Sequence, residues 1–349
     1  MSTFSMTRKL TSFVSLIAGI ALAIGGLILA ILGQGKSYRG AVLVCGVLLF
    51  FWGLYLFPTL KHHRTIINII FLFPLLFAFA VTVIIPLVLG IGYSFTDWNG
   101  IRIKNVVGIA NYARMFRQPS FLWSILITFL FVVFNMILVN LVAFLLALLC
   151  TSKIKGLGFF RAAYFLPNLI GGIVLGYIWQ FIFSNVVTKF TGTYSMLSDT
   201  KTAFMAIIIV YIWQYAGYIM LIYITGLNTI PGDVLEASAI DGANPTQTLF
   251  NIKIPMIAPT ITICTFLTLT SAFKQFDVNL ALTNGTGSVN FLGNYLTNGT
   301  EMLALNIYST AVINNEYAFG EAKAVLFFII LATVSIIQVR ISNKKEVEL

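Results

Sequence analysis

The sequence predicts an all-α integral membrane protein with about eight transmembrane helices, and three observations carry that prediction. Hydrophobic residues make up 59% of the 349 residues and charged residues 9%, against roughly 45–50% and about 25% in an ordinary soluble domain. A chain of this length cannot clothe a water-facing surface with so few charges, so most of its surface must face lipid. Eight apolar stretches are each long enough to cross a bilayer. The net charge of +10 is spread singly or in pairs between those stretches. No Lys/Arg cluster with interleaved aromatics forms a nucleic-acid face.

A helix needs about 20 apolar residues to cross the hydrocarbon core. The qualifying stretches run over 11–33, 41–60, 66–94, 121–150, 159–184, 202–227, 255–282 and 318–340. The first follows Arg8-Lys9 and resembles a signal peptide. It is too long for one and lacks a small-x-small cleavage site, so it reads as a retained span. The first two spans carry few polar residues and read as peripheral, which divides the chain into two leading helices (1–65) and a main membrane domain (66–349). Pro74 and Pro86 share the third span, and Pro167 precedes Gly171-Gly172 in the fifth. Such breaks are tolerated where neighbouring groups satisfy the freed carbonyls. Cys45, Cys150 and Cys264 lie inside apolar stretches and read as small buried hydrophobes.

Basic residues between the spans set the orientation. Arg8, Lys9, Lys61, Arg64, Lys153, Lys155, Arg161, Lys253, Arg340, Lys344 and Lys345 share one side if both termini are cytoplasmic. Lys36, Arg39, Arg102, Lys104, Arg114, Arg117, Lys189 and Lys201 fall on the other. Eleven against eight is a modest bias towards termini-in, and the 97–120 connection, with four basic residues outside, works against it.

The connection between spans six and seven is the most informative in the chain. It runs from Ile230-Pro231-Gly232-Asp233 through Glu236-Ala237-Ser238-Ala239-Ile240-Asp241-Gly242-Ala243-Asn244-Pro245 to Ile252-Lys253-Ile254-Pro255. It predicts two short helices with a sharp turn. Asp233 is placed to cap the first, with Glu236 completing a capping box. Gly242 is placed to stop it. Asn244 caps the second, with Pro245 at its first position and Gln247 repeating the box. A hydrophilic helix–turn–helix held at both ends and projecting from a membrane protein is suited to touching a partner.

These residues resemble the EAA motif: Glu236-Ala237-Ser238, Gly242 six residues after the glutamate, then Ile252-x-Ile254-Pro255. The chain is thereby similar to the inner-membrane permease subunits of binding-protein-dependent carbohydrate ABC importers, in the branch of the larger maltose permease subunit. The resemblance runs from about Pro74 to Arg340. Ser94-Phe95-Thr96-Asp97-Trp98, Asn111-Tyr112, Phe159-Phe160-Arg161, Phe165-Leu166-Pro167, Ile178-Trp179 and Gly226-Leu227-Asn228-Thr229-Ile230-Pro231 extend it. There are departures. Ser238 stands where a second alanine is commonest, Ile254 replaces leucine, and Thr283-Asn284-Gly285-Thr286-Gly287 replaces Thr-x-Gly-Gly-Pro. The large insertion in the 97–120 connection is absent, and the two leading helices occur in some relatives only.

The resemblance implies the type I ABC importer permease fold, a six-helix core plus two N-terminal helices. It implies a bacterial or archaeal inner-membrane subunit that forms half of the translocation pathway for a sugar or oligosaccharide. The implied partners are a second homologous permease subunit, two ATPase subunits and an extracytoplasmic solute-binding protein, with ATP and magnesium held on the ATPases. Glu236, Ala237, Ser238, Asp241, Gly242, Ile252 and Pro255 are the implied coupling residues. The sequence itself contains no GxxxxGK[ST] phosphate loop, and His62-His63 is an isolated pair, so the expectation is a non-catalytic subunit without a cofactor or metal of its own.

Polar residues within the spans are candidates for the solute path, because intramembrane polar groups usually face the bundle interior or a water-filled route. The seventh span carries Ser271, Lys274, Gln275 and Asp277. Lys274 and Asp277, three apart, share a helix face and can neutralise each other, either in the interior or as an outer-leaflet pair. Ser271 and Gln275, a turn apart, form the better hydrogen-bonding face. Asn168, Tyr177, Trp179, Gln180, Trp213, Gln214 and Tyr215 offer the aromatics and amides that suit a glycan, and equally suit headgroup-level belts. Of these, Asn168, Tyr177, Gln180, Ser271 and Gln275 are the substrate-pathway candidates. The competing reading is a self-sufficient ion-coupled secondary transporter using Lys274, Asp277 or Glu321. It predicts inverted repeats, which the sequence does not display.

Overall fold

The computed structural model describes residues 6–31, 38–56, 63–152, 156–192 and 195–343. The expectations placed on Lys36, Lys61, His62, Lys153, Lys155, Lys344 and Lys345 lie outside the described residues. The chain divides into two compact units, Met1–Leu89 and Gly90–Leu349.

The first unit contains α1 (Met6–Ile31), α2 (Arg39–Leu56) and α3 (His63–Phe79). Its first two helices form a tight hairpin because glycines recur every seven residues on the facing surfaces. A Cβ on Gly19 would fall 2.4 Å from the backbone nitrogen of Phe50, and one on Gly46 the same distance from that of Ala23. Small residues at such positions let two backbones touch in a bilayer, where packing rather than hydrophobicity holds helices together. Ser12, buried between them, donates to the Gly53 carbonyl at 2.8 Å. The third span continues through a π turn at Ala80–Ile84 into α4 (Ile85–Ser94). Pro86 has no N–H for the Thr82 carbonyl and its ring crowds it, and the widened turn lies immediately before it.

The second unit holds the remaining spans. Its elements are α5 (Ala110–Phe116), α6 (Pro119–Cys150), α7 (Leu157–Phe165), a 3₁₀ turn (Leu166–Leu169), α8 (Gly172–Phe181), a π segment (Ile182–Val187), α9 (Thr188–Thr191) and α10 (Thr200–Asn228). There follow α11 (Gly232–Ile240), α12 (Pro245–Gln247), a π segment (Thr248–Lys253), α13 (Ile254–Met256), α14 (Ala258–Phe273) and α15 (Asp277–Leu282). A hairpin of β1 (Val289–Phe291) and β2 (Asn294–Leu296) pairs Val289 with Leu296. The chain closes with α16 (Leu303–Tyr308), a π segment (Ser309–Ile313) and α17 (Tyr317–Asn343). Among the described residues six helices are long and apolar enough to cross a membrane, or seven if the bent pair Pro245–Met256 and Ala258–Phe273 is one span. The remaining expected stretch, the second (41–60), corresponds to α2, whose apolar run Gly40–Leu56 is shorter.

The core is built around α10, which packs against α6 and α14. Tyr211, Ile207, Ile219 and Met220 are fully or almost fully buried there. A polar clasp ties the three helices: the Tyr223 hydroxyl donates to Asn140 Oδ1 at 2.9 Å, and Asn140 Nδ2 donates to Thr268 Oγ1 at 3.2 Å. One end of the bundle gathers the starts of α6 and α10 with the 283–303 segment. Trp123 Nε1 donates to the Gly299 carbonyl, Thr200 Oγ1 to the Ser288 carbonyl, and the Leu303 amide to Thr128 Oγ1. At the other end α10 meets α14 closely, with Gly226 against Thr260, and the 229–257 connection emerges there.

Candidate functional site

Two regions of the second unit are built in ways that plain membrane-spanning helices do not require. The first is the projecting connection. Its leading helix, α11, starts after Pro231 in extended conformation, and no side chain caps it. The expected Asp233–Glu236 capping box is therefore absent: Gly232 begins the helix, and Asp233 lies inside its first turn, where its charge still favours the helix N-terminus. The stop is as expected. Gly242 adopts φ +77°, its N–H bonds the Ala239 carbonyl at 3.2 Å, and the Ala243 N–H bonds the Ser238 carbonyl at 3.0 Å. That pair of bonds is the Schellman ending, which glycine forms without a Cβ penalty.

Asn244 then caps α12 in a full capping box: Asn244 Oδ1 accepts from the Gln247 N–H at 2.9 Å, and Gln247 Oε1 from the Asn244 N–H at 2.8 Å. The following π segment ends at Lys253, two residues before Pro255, as the one at Ala80–Ile84 ends two residues before Pro86, and the chain bends by 71° into α14. The result is a rigid projection with both turns satisfied internally. Glu236, Ala237, Asp241, Gly242 and Pro255 are exposed and Ile252 half-buried. Ser238 is buried, its hydroxyl returned to the Leu235 carbonyl. Ile240, at the tip, is 86% exposed. An isoleucine so placed on a rigid loop marks a contact surface more than a folding need.

The second region is a pair of broken helices. Pro167 ends α7 in a 3₁₀ turn, Ile170 and Gly171 are extended, and α8 begins afresh at Gly172. The carbonyl of Ile170, freed by the break, accepts from Gln214 Nε2 at 3.4 Å. On the other side α14 ends at Phe273 and α15 begins at Asp277. The two interruptions meet: a Cβ on Gly172 would fall 2.6 Å from Asp277 Cβ, and one on Gly176 2.5 Å from Ala281 Cβ.

This break corrects one expectation and reframes another. Lys274 and Asp277 do not share a helix face, because the helix ends before Lys274, and both are exposed. Among the described residues no ion pair joins them. Ser271 and Gln275 are likewise not successive turns of one helix. Ser271 is half-buried on the last turn of α14, while Gln275 sits in the break with its Nε2 buried and unpartnered among the described residues. The Tyr211 hydroxyl is orphaned in the same way, its ring stacked on Tyr215 at 4.3 Å. Buried polar atoms without partners are rare and call for an explanation such as a ligand or water. Asn168 lies half-buried in the first break, and Tyr177 and Gln180 lie on α8, exposed and half-buried. The structure thus packs α8 against α15 through Gly172 and Gly176, with Ser271 and Gln275 just before α15 and Asn168 just before α8.

Comparison with known proteins accounts for this construction. Residues 119–346 match the model of the family described as "Binding-protein-dependent transport system inner membrane component". The chain belongs to this family of transport-system membrane subunits. Among its relatives, the probable starch degradation products transport system permease protein AmyD of Thermoanaerobacterium thermosulfurigenes is 43% identical over 286 residues, covering 80% of this chain and 95% of the relative. The multiple sugar-binding transport system permease protein MsmF of Streptococcus mutans is 32% identical, covering 75% and 90%. The fold is that of a solved bacterial ABC transporter involved in the import of the acidic polysaccharide alginate, with a TM-score of 0.69 at 17% identity over 81% of this chain and 97% of that one. As a family member, the chain is a multi-pass ABC importer permease, and its architecture is the type I permease fold.

A third polar feature escaped the sequence reading. Lys323, in the second turn of α17, is 2% exposed. It donates to Asn306 Oδ1 at 2.9 Å and Thr310 Oγ1 at 2.8 Å and lies 4.6 Å from the centre of the Phe319 ring. The carboxylate of the buried Glu301 accepts from Asn298 and Asn306. The Arg114–Glu316 ion pair, 2.8 Å, stands nearby. A lysine inside a predicted span was the available signal. Its partners lie 13 to 22 residues upstream in what reads as an ordinary loop, so the pairing was not visible.

Proposed function

We propose that this chain is one of two permease subunits of an ATP-driven importer for a sugar or oligosaccharide, with the 231–255 connection docking on a separate ATPase. The single observation that carries the reading is that rigid projection: Schellman stop, capping box and 71° bend hold an exposed tip at the base of α10 and α14. A partner that moves the tip therefore moves the two helices that line the core. Glu236, Ala237, Asp241 and Gly242 present the outer surface of the docking element. Ser238, Ile252 and Pro255 hold its shape.

In this arrangement the termini and the projection are cytoplasmic, and the end with the 283–303 segment receives solute from an extracytoplasmic binding protein. ATP and magnesium sit on two ATPase chains. Asn168, Tyr177, Gln180, Ser271 and Gln275 form this subunit's part of the solute path, at the crossing of the broken helices. Half-helix ends and exposed backbone at such breaks are suited to polar solutes. The sugar-transport names of AmyD and MsmF support carbohydrate as the class. The test is to co-purify the complex and measure which glycan-loaded binding protein stimulates its ATPase. Stimulation by a sugar-loaded protein supports the reading, and stimulation only by a non-sugar solute overturns it.

A further inference from the structure

The Lys323–Glu301 network does not close on itself. It borders a cavity of about 300 Å³ that opens among the start of α6, the 298–316 segment and the start of α17. We propose that this cavity is a glycan subsite for a neutral sugar ring, separate from the helix-break crossing and set at the end of the bundle where solute arrives. The proposal rests on the carbohydrate reading above and adds to it the site and the neutrality of the ligand.

Three features of the cavity carry it. The first is unspent hydrogen-bonding capacity. Lys323 has three N–H donors, and two are engaged. Asn298 and Asn306 both donate to the same oxygen of Glu301, Oε2, and among the described residues no donor reaches Oε1. The side chains of Gln118, Ser309 and Asn314 also line the cavity and make no hydrogen bond among the described residues. Gln118 and Ser309 are half-buried and Asn314 is exposed at the rim, so these free groups, with the unused capacity of Lys323 and Glu301, are open to a ligand entering the cavity.

The second feature is charge. The lining carries two cations, Arg114 and Lys323, and two carboxylates, Glu301 and Glu316. An anionic solute would gain from one pair and be repelled by the other, while vicinal hydroxyls can donate to Glu301 and accept from Lys323. The third is shape. The cavity sits at the small end of the usual ligand-pocket range of about 300–1,000 Å³, room for a single ring. Arg114 lies 4.1 Å and Lys323 4.6 Å from the centre of the Phe319 ring. That aromatic is already engaged by cations, so recognition falls to hydrogen bonds.

The experiment uses the full complex in nanodiscs without nucleotide or binding protein, probed by saturation-transfer NMR. The probes are maltotriose and a uronic-acid trisaccharide. The wild type is expected to give transfer to maltotriose and at least tenfold less to the uronate. Asn314→Trp, at the exposed rim, fills the mouth without touching Lys323 or Glu301 and should reduce the maltotriose signal about tenfold. Ser309→Leu serves as the second obstruction if Asn314→Trp does not assemble. No wild-type signal, equal uronate signal, or a maltotriose signal insensitive to both obstructions overturns the proposal. Binding-protein-dependent maltotriose uptake in the same preparation reports separately on the carbohydrate reading: uptake without transfer sinks the subsite alone.

Discussion

Replacing Gly242 with aspartate should uncouple the transporter while leaving its membrane core intact. Gly242 adopts φ +77°, and a Cβ built there meets nothing within 4 Å. The cost is therefore one of backbone and charge, with no steric clash inside the chain. A non-glycine residue in the left-handed region costs roughly 1–2 kcal/mol. A carboxylate beside Asp241 at the C-terminal end of α11 adds about 0.3–1 kcal/mol by facing the wrong end of the helix dipole. The sum, about 1.5–3 kcal/mol, disfavours the Schellman turn by one to two orders of magnitude. Gly242→Asn isolates the charge term, since asparagine and aspartate enter the left-handed region with similar ease and asparagine carries no charge, so it should be milder. Each variant is reconstituted with its partners, and assembly, ATPase stimulation and uptake are measured. Normal uptake by correctly assembled Gly242→Asp complex would refute the reasoning, because the turn would then not transmit motion.

Four further outcomes follow from the geometry. Gly217→Val should lower the thermal midpoint of the purified protein by several degrees, because a Cβ there would fall 1.8 Å from the Tyr164 carbonyl oxygen and α7 must move away at a cost of about 1–3 kcal/mol or more; Gly232→Ala, with open space, is the control. Tyr223→Phe should cost about 0.6–2 kcal/mol, the range for a hydrogen bond between membrane helices, measured as detergent-unfolding stability against Asn140→Ala. Lys323→Met should be worse, roughly 1.5–3 kcal/mol, the range for hydrogen bonds to a charged group, because it removes the donor to the buried Asn306 Oδ1 and Thr310 Oγ1, and Glu301→Gln in the same chain should restore part of the loss by removing the charge left nearby. Asp97 accepts from the Lys104 and Asn105 amides at 2.8 Å each, and those bonds hold its carboxyl below its ordinary value of 3.8. A depressed folded-state value means the turn's stabilisation is present above the unfolded value and is lost as pH falls through the folded one. Amide exchange at Lys104 and Asn105, corrected for intrinsic rates, should therefore accelerate below pH 3.8, and in Asp97→Ala at all pH values.

The eight apolar stretches map onto helices because lipid imposes one legible rule, a run of apolar residues of fixed length. The projecting loop was legible in its turn chemistry: Gly242 and Asn244-Pro245 act locally, over four or five residues. Asp233 misled because Gly232, a poor helix former, nonetheless opens the helix after Pro231. Where breaks fall was only half legible. Pro167 announced one. Nothing in Phe273-Lys274-Gln275-Phe276 announces the other, since no proline or glycine is present and the interruption is set by packing against Gly172 and Gly176. The 303–313 helical segment, placed by the Leu303–Thr128 bond, and the Glu301–Lys323 network depend on partners far along the chain, and local patterns carry no trace of them.

The central claim is that the exposed tip of the 231–255 connection rests on an ATPase. It is tested most directly by a photo-reactive phenylalanine analogue at Ala237, which is exposed where Ser238 is buried. The variant is irradiated within an active, purified complex, and the captured chain is identified by mass spectrometry. The account predicts an adduct to the ATPase subunit, gained or lost with nucleotide state. An adduct to the binding protein or to lipid in a complex that still transports would contradict it.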